Sequence, residues 1–397
     1  MSEELRRYWK VLSGDLFSKI SSAVISILAI ANFSPTLLGK YIILCSISIT
    51  SYSLFNGYFN RVFIFDKESN ELIIGYRFSA FVCATVSFIF VSYFYELKYY
   101  EYFAAYLVSV SAIDYDISRT SVQKYGMFDI YSKIEIARSS LYLLFCSIIF
   151  FYNPSIFLII MFQAISYLIS SALIYRISEY SRNGIYGQVV SVFYKIFESK
   201  SLSLFLYFVL VGLFGQAPIL IYGYISAPLD FAQFGSAFRY YGLLVSLSAA
   251  VNVVTLPDIA ASGDVSAFAV LRSLRRLVLV AVCLGAAAAM SGFLVIPIID
   301  GGRYPAAPMQ FAILSSGVLF GVLLGPVGAL YLRNSKHGYL LATQVAALGI
   351  CCAVAYFGGQ QSGLIAAAAM PIGVIAQLIA LLVGLNSLTD PKAAQAL

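Results

Sequence analysis

Six ionisable side chains stand inside long apolar runs of this 397-residue sequence: Asp15, Lys19, Arg77, Glu135, Arg138 and Arg239. Asp114 and Asp116 close a further run, and Gln216 stands beside Pro218. Charge at the depth of a bilayer is costly, so such residues mark ion or substrate pathways by default. Their spacing gathers them on faces. Asp15, Lys19, Ser22 and Ser26 follow i, i+4, i+7, i+11, which is one side of a helix. Ser46, Thr50, Ser53, Gly57 and Asn60 share a face in the same way, as do Tyr131, Glu135, Arg138 and Tyr142. Polar stripes on several helices predict a shared water-filled cavity. Arg239 lies deep enough in its run to demand an anion or a water path. Bland alternatives stand beside these readings. Asp15 with Lys19, and Glu135 with Arg138, have the spacing of structural ion pairs. Arg77, Asp114 and Asp116 are near enough to a span end to snorkel. Single serines in helices bond their own i−4 carbonyls. Metal chemistry finds no support: the six cysteines form no C-x-x-C pair, and His337 is the only histidine.

The elements that hold these residues follow from composition. Hydrophobic residues make up 60% of the chain and charged ones 11%, with a mean hydropathy of +0.86. Soluble domains carry about 25% charged residues, so a soluble enzyme, a disordered chain and a nucleic-acid binder are excluded. A bilayer core about 30 Å thick needs roughly 20 apolar residues per helix. Twelve runs qualify: about 11–32, 37–60, 72–95, 102–118, 131–152, 155–176, 201–225, 232–256, 274–299, 308–332, 338–358 and 362–386. Backbone groups in lipid must be satisfied internally, so these runs are helices. The expected fold is an all-α polytopic membrane protein. The first run also has the outline of a signal peptide ending in Ala29-Ile30-Ala31, but Asp15 and Lys19 interrupt it, so it reads as a retained span.

Basic residues orient the layout. With the N-terminus inside, 18 of the 25 Lys and Arg fall in cytoplasmic segments, Arg119 and Lys124 among them. Three, Lys40, Lys98 and Arg303, fall outside. That asymmetry places both termini in the cytoplasm. The net charge of +6 therefore reports orientation and requires no acidic partner.

Composition changes at mid-chain. Residues 1–200 hold 21 of the 30 tyrosines and 11 alanines, whereas residues 201–397 hold 33 alanines and 21 of the 28 glycines. Small residues let helix backbones approach closely. The expected domains are a six-helix bundle over 1–176, a cytoplasmic connecting segment over 177–200, and a second six-helix bundle over 201–397. In the connection, Ile185, Val189, Phe193 and Phe197 recur beside Lys195 and Lys200, a pattern that suits an interfacial helix. Gly39 and Gly235 each follow a proline-containing break, an echo consistent with repeated halves and a site at their interface.

The segments NFSPTLLGKYIILCSIS, APLDFAQFGSAFRYYGLLVSLSAAVNVVTLPDIA and GGRYPAAPMQFAIL resemble, in order and spacing, the bacterial polysaccharide flippases. These are the O-antigen and capsule repeat-unit exporters of the MOP superfamily, which includes the MATE transporters. The features that carry the resemblance are Gly235 opening the eighth helix, Pro257 at its cytoplasmic end, and Gly302, Tyr304 and Ala307 in the ninth-to-tenth connection. The resemblance implies a V-shaped pair of six-helix bundles working by alternating access in the inner membrane. It implies an undecaprenyl-diphosphate-linked oligosaccharide as substrate, and other glycan-assembly membrane proteins as partners besides membrane lipid. It places Lys19, Arg77, Arg138 and Arg239, with Gln216, against diphosphate and glycan, since arginine suits phosphate oxygens. Many relatives carry an Asp in the seventh helix where this chain has Gln216 or Ala217. Asp15, Glu135 and Asp114 are then the candidates for coupling to a proton or sodium gradient, with no bound cofactor. Two rivals remain. A MATE-like cation-coupled exporter would favour acids in the cavity. A membrane polymerase or glycosyltransferase would need acids on a large external loop, and Glu96, Glu101, Asp230 and Asp300 are isolated on short ones.

Overall fold

A computed structural model describes residues 3–65, 73–124, 127–177, 191–192, 199–261 and 267–385. The chain is a multi-pass, nearly all-helical membrane protein. Its helices are α1 (Glu3–Asn32), α2 (Pro35–Phe65), α3 (Ile73–Ser92), α4 (Tyr99–Lys124), α5 (Phe128–Tyr152), α6 (Ile156–Ile177) and α7 (Ser199–Phe214). They continue with α8 (Ala217–Ile225), α9 (Pro228–Ala261), α10 (Ala267–Ile299), α11 (Ala307–Arg333), α12 (His337–Ala353) and α13 (Gly363–Gly384). Among the described residues, eight helices are long and apolar enough to cross a membrane, or nine when α7 and α8 are taken as one broken span. The other long helices are α4, α9 and α10. Together these elements match the twelve expected runs. The break between α7 and α8 falls at Gly215 and Gln216, next to Pro218. Of the interfacial helix expected near 177–200, most residues lie outside those described; Val192 is buried against Tyr58, Phe59 and Ile73.

Proline at the first helical position opens both α2 and α9, where its missing N–H costs nothing. Pro297, Pro326 and Pro371 stand inside α10, α11 and α13, as membrane helices tolerate when neighbours re-satisfy the freed groups.

The chain divides into two compact units, Met1–Gln216 and Ala217–Leu397. The sequence layout put that division at residue 201. The difference comes from α7, which packs on α2 in the first unit. Phe205 meets Phe55 and Tyr58 with ring centroids 5.5 and 5.1 Å apart. Gly212 seals the contact: a Cβ there would lie 2.7 Å from the Ser53 carbonyl oxygen. Elsewhere in the first unit α1 packs on α5, α4 on α2 and α6, and α3 on α2. In the second unit α11 is central, touching α9, α10 and α13, while α12 lies against α13.

Serines fill much of the first unit's interior as the i−4 rule predicts. Ser48, Ser51 and Ser109 donate to the carbonyls of Leu44, Ile47 and Ala105 at 2.9, 2.7 and 2.8 Å. Ser48 also reaches the Ala105 carbonyl at 3.0 Å, tying α2 to α4.

Candidate functional site

Charge concentrates where α1, α4 and α5 meet in the first unit. Glu135 and Arg138, one turn apart on α5, form an ion pair at 2.6 Å with side chains 3% and 7% exposed. Arg138 also donates to Ser18 on α1 at 2.7 Å and to Ser139 at 3.2 Å. Its guanidinium lies 5.2 and 4.7 Å from the ring centroids of Tyr115 and Tyr167. The Tyr115 hydroxyl donates to Glu135. The pair is thus held by Ser18, Ser139 and two tyrosine rings, with the Arg138 Nε alone buried and without a hydrogen-bond partner.

A looser group lies beside it. Asp15 accepts from the Tyr131 hydroxyl at 2.7 Å and stands 3.5 Å from Arg119. Arg119 is also 3.5 Å from Asp116 and covers the Tyr131 ring at 5.5 Å. Behind Asp116 runs a neutral relay. Asn56 donates to Asp116 at 2.6 Å, Asn60 to Asn56 at 2.7 Å, and Thr120 to Asn60 at 2.9 Å. Arg119 therefore has two acids in reach, both beyond hydrogen-bond length, and its Nε is buried without a hydrogen-bond partner. Its side chain is 27% exposed and that of Asp15 is 34% exposed. Lys19 sits one turn beyond Asp15 on α1, half-buried.

The opposite side of α4 carries a third pair. Arg77 grips Asp114 with two parallel bonds, 2.5 and 2.7 Å long, and its second nitrogen reaches Ser171 on α6 at 3.3 Å. Ser171 donates to Asp114 as well, and Arg77 lies 5.5 Å from the Tyr175 ring centroid. Bidentate geometry makes this a strong, oriented contact. The two side chains thus hold each other, where the sequence alone left room for each to snorkel.

Of the residues singled out by spacing, Asp15, Glu135 and Arg138 share one interior, and Arg77 with Asp114 forms a separate pair in the same unit. Arg239 belongs to the second unit, part-buried on α9 between the buried Phe238 and Tyr240. Gln216 closes the first unit, half-buried at the helix break. Arg119 was counted with the cytoplasmic basic residues because the apolar run ends at Ser118. The helix continues to Lys124 and turns Arg119 onto Asp116 and Asp15. The sequence signal for it was the i, i+3 spacing of Asp116 and Arg119. Among the described residues, no group of three or more His, Cys, Asp or Glu side chains is arranged to hold a metal ion.

No family model matches the sequence, and no match is found among curated proteins. Likeness appears in three dimensions. The lipid II flippase MurJ in an inward closed conformation is similar with a TM-score of 0.73 and 11% identity, over 95% of this chain and 87% of that one. The eukaryotic MATE transporter AtDTX14 is similar with a TM-score of 0.59 and 13% identity, over 99% of this chain and 98% of that one. An inward-facing multidrug resistance MATE family transporter of the MOP superfamily gives 0.53 and 15%, over 98% of this chain and 96% of that one. The chain therefore shares the fold of these structures over nearly its whole length.

Proposed function

We propose that this protein is a flippase. It moves an undecaprenyl-diphosphate-linked oligosaccharide from the cytoplasmic to the periplasmic leaflet of a bacterial inner membrane by alternating access, in surface polysaccharide (O-antigen or capsule) biosynthesis. The observation that carries the reading is Arg119, a guanidinium inside the first unit with two acids at 3.5 Å and its Nε buried without a hydrogen-bond partner. A diphosphate leaving water needs such a partner, and a planar guanidinium matches phosphate oxygens. A lipid II flippase of the same fold supports the lipid-linked substrate class.

Roles divide by how firmly each charge is already held. Arg119 and Lys19 take the diphosphate. Arg77 and Arg138, each bound to its own carboxylate, shape the cavity and present glycan contacts. Gln216 and Arg239 provide further substrate contacts. Asp15, Glu135 and Asp114 are the acids that couple transport to protons or sodium. Asp15 leads them, because an anion that draws Arg119 away leaves its carboxylate to accept a cation. Both termini face the cytoplasm, and the product passes to other glycan-assembly membrane proteins.

Acids in the same interior favour one second reading, a MATE-like cation-coupled exporter. Proteoliposomes decide between them. The protein should translocate a fluorescent undecaprenyl-diphosphate oligosaccharide and leave a cationic dye gradient unchanged. Dye efflux without lipid translocation would replace the flippase reading with the exporter.

A further inference from the structure

We propose that the second unit carries a binding pocket for an uncharged sugar. A cavity of about 450 Å³ opens where three of its connections meet, those joining α8 to α9, α10 to α11 and α12 to α13. That size lies within the range of about 300–1,000 Å³ typical of small-ligand sites. Its polar wall is made of four glutamines, Gln233, Gln310, Gln360 and Gln361, with Tyr222 and a single carboxylate, Asp230. Among the described residues, no lysine or arginine lines it.

A carboxamide both donates and accepts, as each sugar hydroxyl does, and a lone carboxylate accepts from hydroxyls. A diphosphate or a sugar acid would meet Asp230 here with no cation to offset it. The wall is also incomplete without a ligand. Gln310 is 3% exposed, yet its Oε1 has no hydrogen-bond partner, and a buried acceptor left unmet is costly. Gln233 is held in place, its Oε1 accepting from the Ala306 N–H at 2.9 Å, which leaves its NH₂ group to donate. Tyr222 packs edge-on against Phe234, 5.0 Å between centroids. Glycine at the start of α13 permits this: a Cβ on Gly363 would lie 2.6 Å from Gln310 Nε2 and 2.8 Å from the Tyr222 hydroxyl.

The three connections are those that the basic-residue asymmetry makes external. The pocket would thus hold a neutral sugar of the glycan as it emerges, a role that rests on the flippase reading, whereas sugar binding itself does not. The test uses the full-length protein in nanodiscs and saturation-transfer NMR with glucose, galactose, rhamnose and N-acetylglucosamine. Glucuronic acid and inorganic diphosphate serve as charged probes. At least one neutral sugar should bind saturably. Gln310→Leu should weaken it about tenfold or more. Gln361 is exposed, so Gln361→Ala tests the pocket even where Gln310→Leu fails to fold. The proposal is overturned if no neutral sugar binds, if both glutamine variants bind as wild type, or if glucuronic acid or inorganic diphosphate displaces the sugar. Sugar binding without lipid translocation would sink the flippase reading alone; translocation without sugar binding would sink the pocket alone.

Discussion

In the first unit, buried polarity is ionic. Glu135 faces Arg138 at 2.6 Å, Asp114 faces Arg77 at 2.5 Å, and Asp15 and Asp116 share Arg119 at 3.5 Å. In the second unit, among the described residues and apart from Asp300 and the part-buried Arg239, the buried polar side chains are neutral. Gln377 donates to Gln344 at 2.6 Å. Tyr331 and Tyr339, stacked 5.2 Å apart, donate to the carbonyls of Leu381 and Ala380 at 2.6 and 2.7 Å. The difference separates two uses of polarity. Neutral pairs lock α12 and α11 onto α13 and have little reason to let go. Ion pairs can exchange a carboxylate for a phosphate where the released carboxylate takes up a proton or cation, which keeps charge matched. The change in composition at mid-chain thus coincides with a change in the interior's polar groups.

The largest effect expected from breaking this contrast is at Arg138. Replacing it with Ala strands Glu135 as a buried charge and should cost about 3–5 kcal/mol. Thermal unfolding in detergent would register this as a large fall in Tm. The double variant Glu135→Leu with Arg138→Leu should regain most of that stability and still lose transport. Full transport by the double variant would remove this pair from the machinery. Next comes Gly212→Val, which forces a side chain against Ser53 and should cost about 1–3 kcal/mol by overpacking. An unchanged Tm would deny that α7 is seated on α2.

In the neutral unit, Gln344→Leu should cost about 1–3 kcal/mol by leaving Gln377 unmet, and adding Gln377→Leu should recover much of the loss. A double variant as unstable as the single would mean the pair does more than satisfy itself. The smallest effect concerns pH. Asp300 is buried just beyond α10, and burial pushes its carboxyl above the ordinary range, against the lowering effect of the Gly302 N–H and Arg303. Tyr240 and Tyr304 lie near enough to interact with it. A raised value in the folded state means its stabilising contribution is present at low pH and is lost as pH rises through that value. Asp300→Asn should flatten this slope in a pH series of unfolding curves; a slope unchanged by the substitution would contradict it.

Helices were legible because each apolar run is long enough to span a bilayer, and α5 was legible in detail because Glu135 and Arg138 pair within one helix. Contacts between helices were not. Nothing in the spacing joins Arg77 to Asp114 across 37 residues, or Tyr131 to Asp15 across 116; packing decides those. Hydropathy also hid Arg119, since a window that stops where apolar residues stop cannot see a helix carry its charge back into the bundle. The unit boundary at Gln216 depends on the seat of α7 against Ser53 and Leu54, a close backbone approach announced only by one glycine. The pocket of the second unit escaped notice because glutamine is neutral and its residues come from three separate connections.

The account stands most directly on Arg119. Translocation of a labelled undecaprenyl-diphosphate oligosaccharide should be measured in proteoliposomes for wild type, Arg119→Ala and Arg119→Lys at matched incorporation. The predicted result is a loss of about tenfold or more for Arg119→Ala measured on folded protein, and partial retention for Arg119→Lys, which keeps the charge but loses the planar fork. Wild-type translocation by Arg119→Ala would contradict a phosphate-binding interior in the first unit.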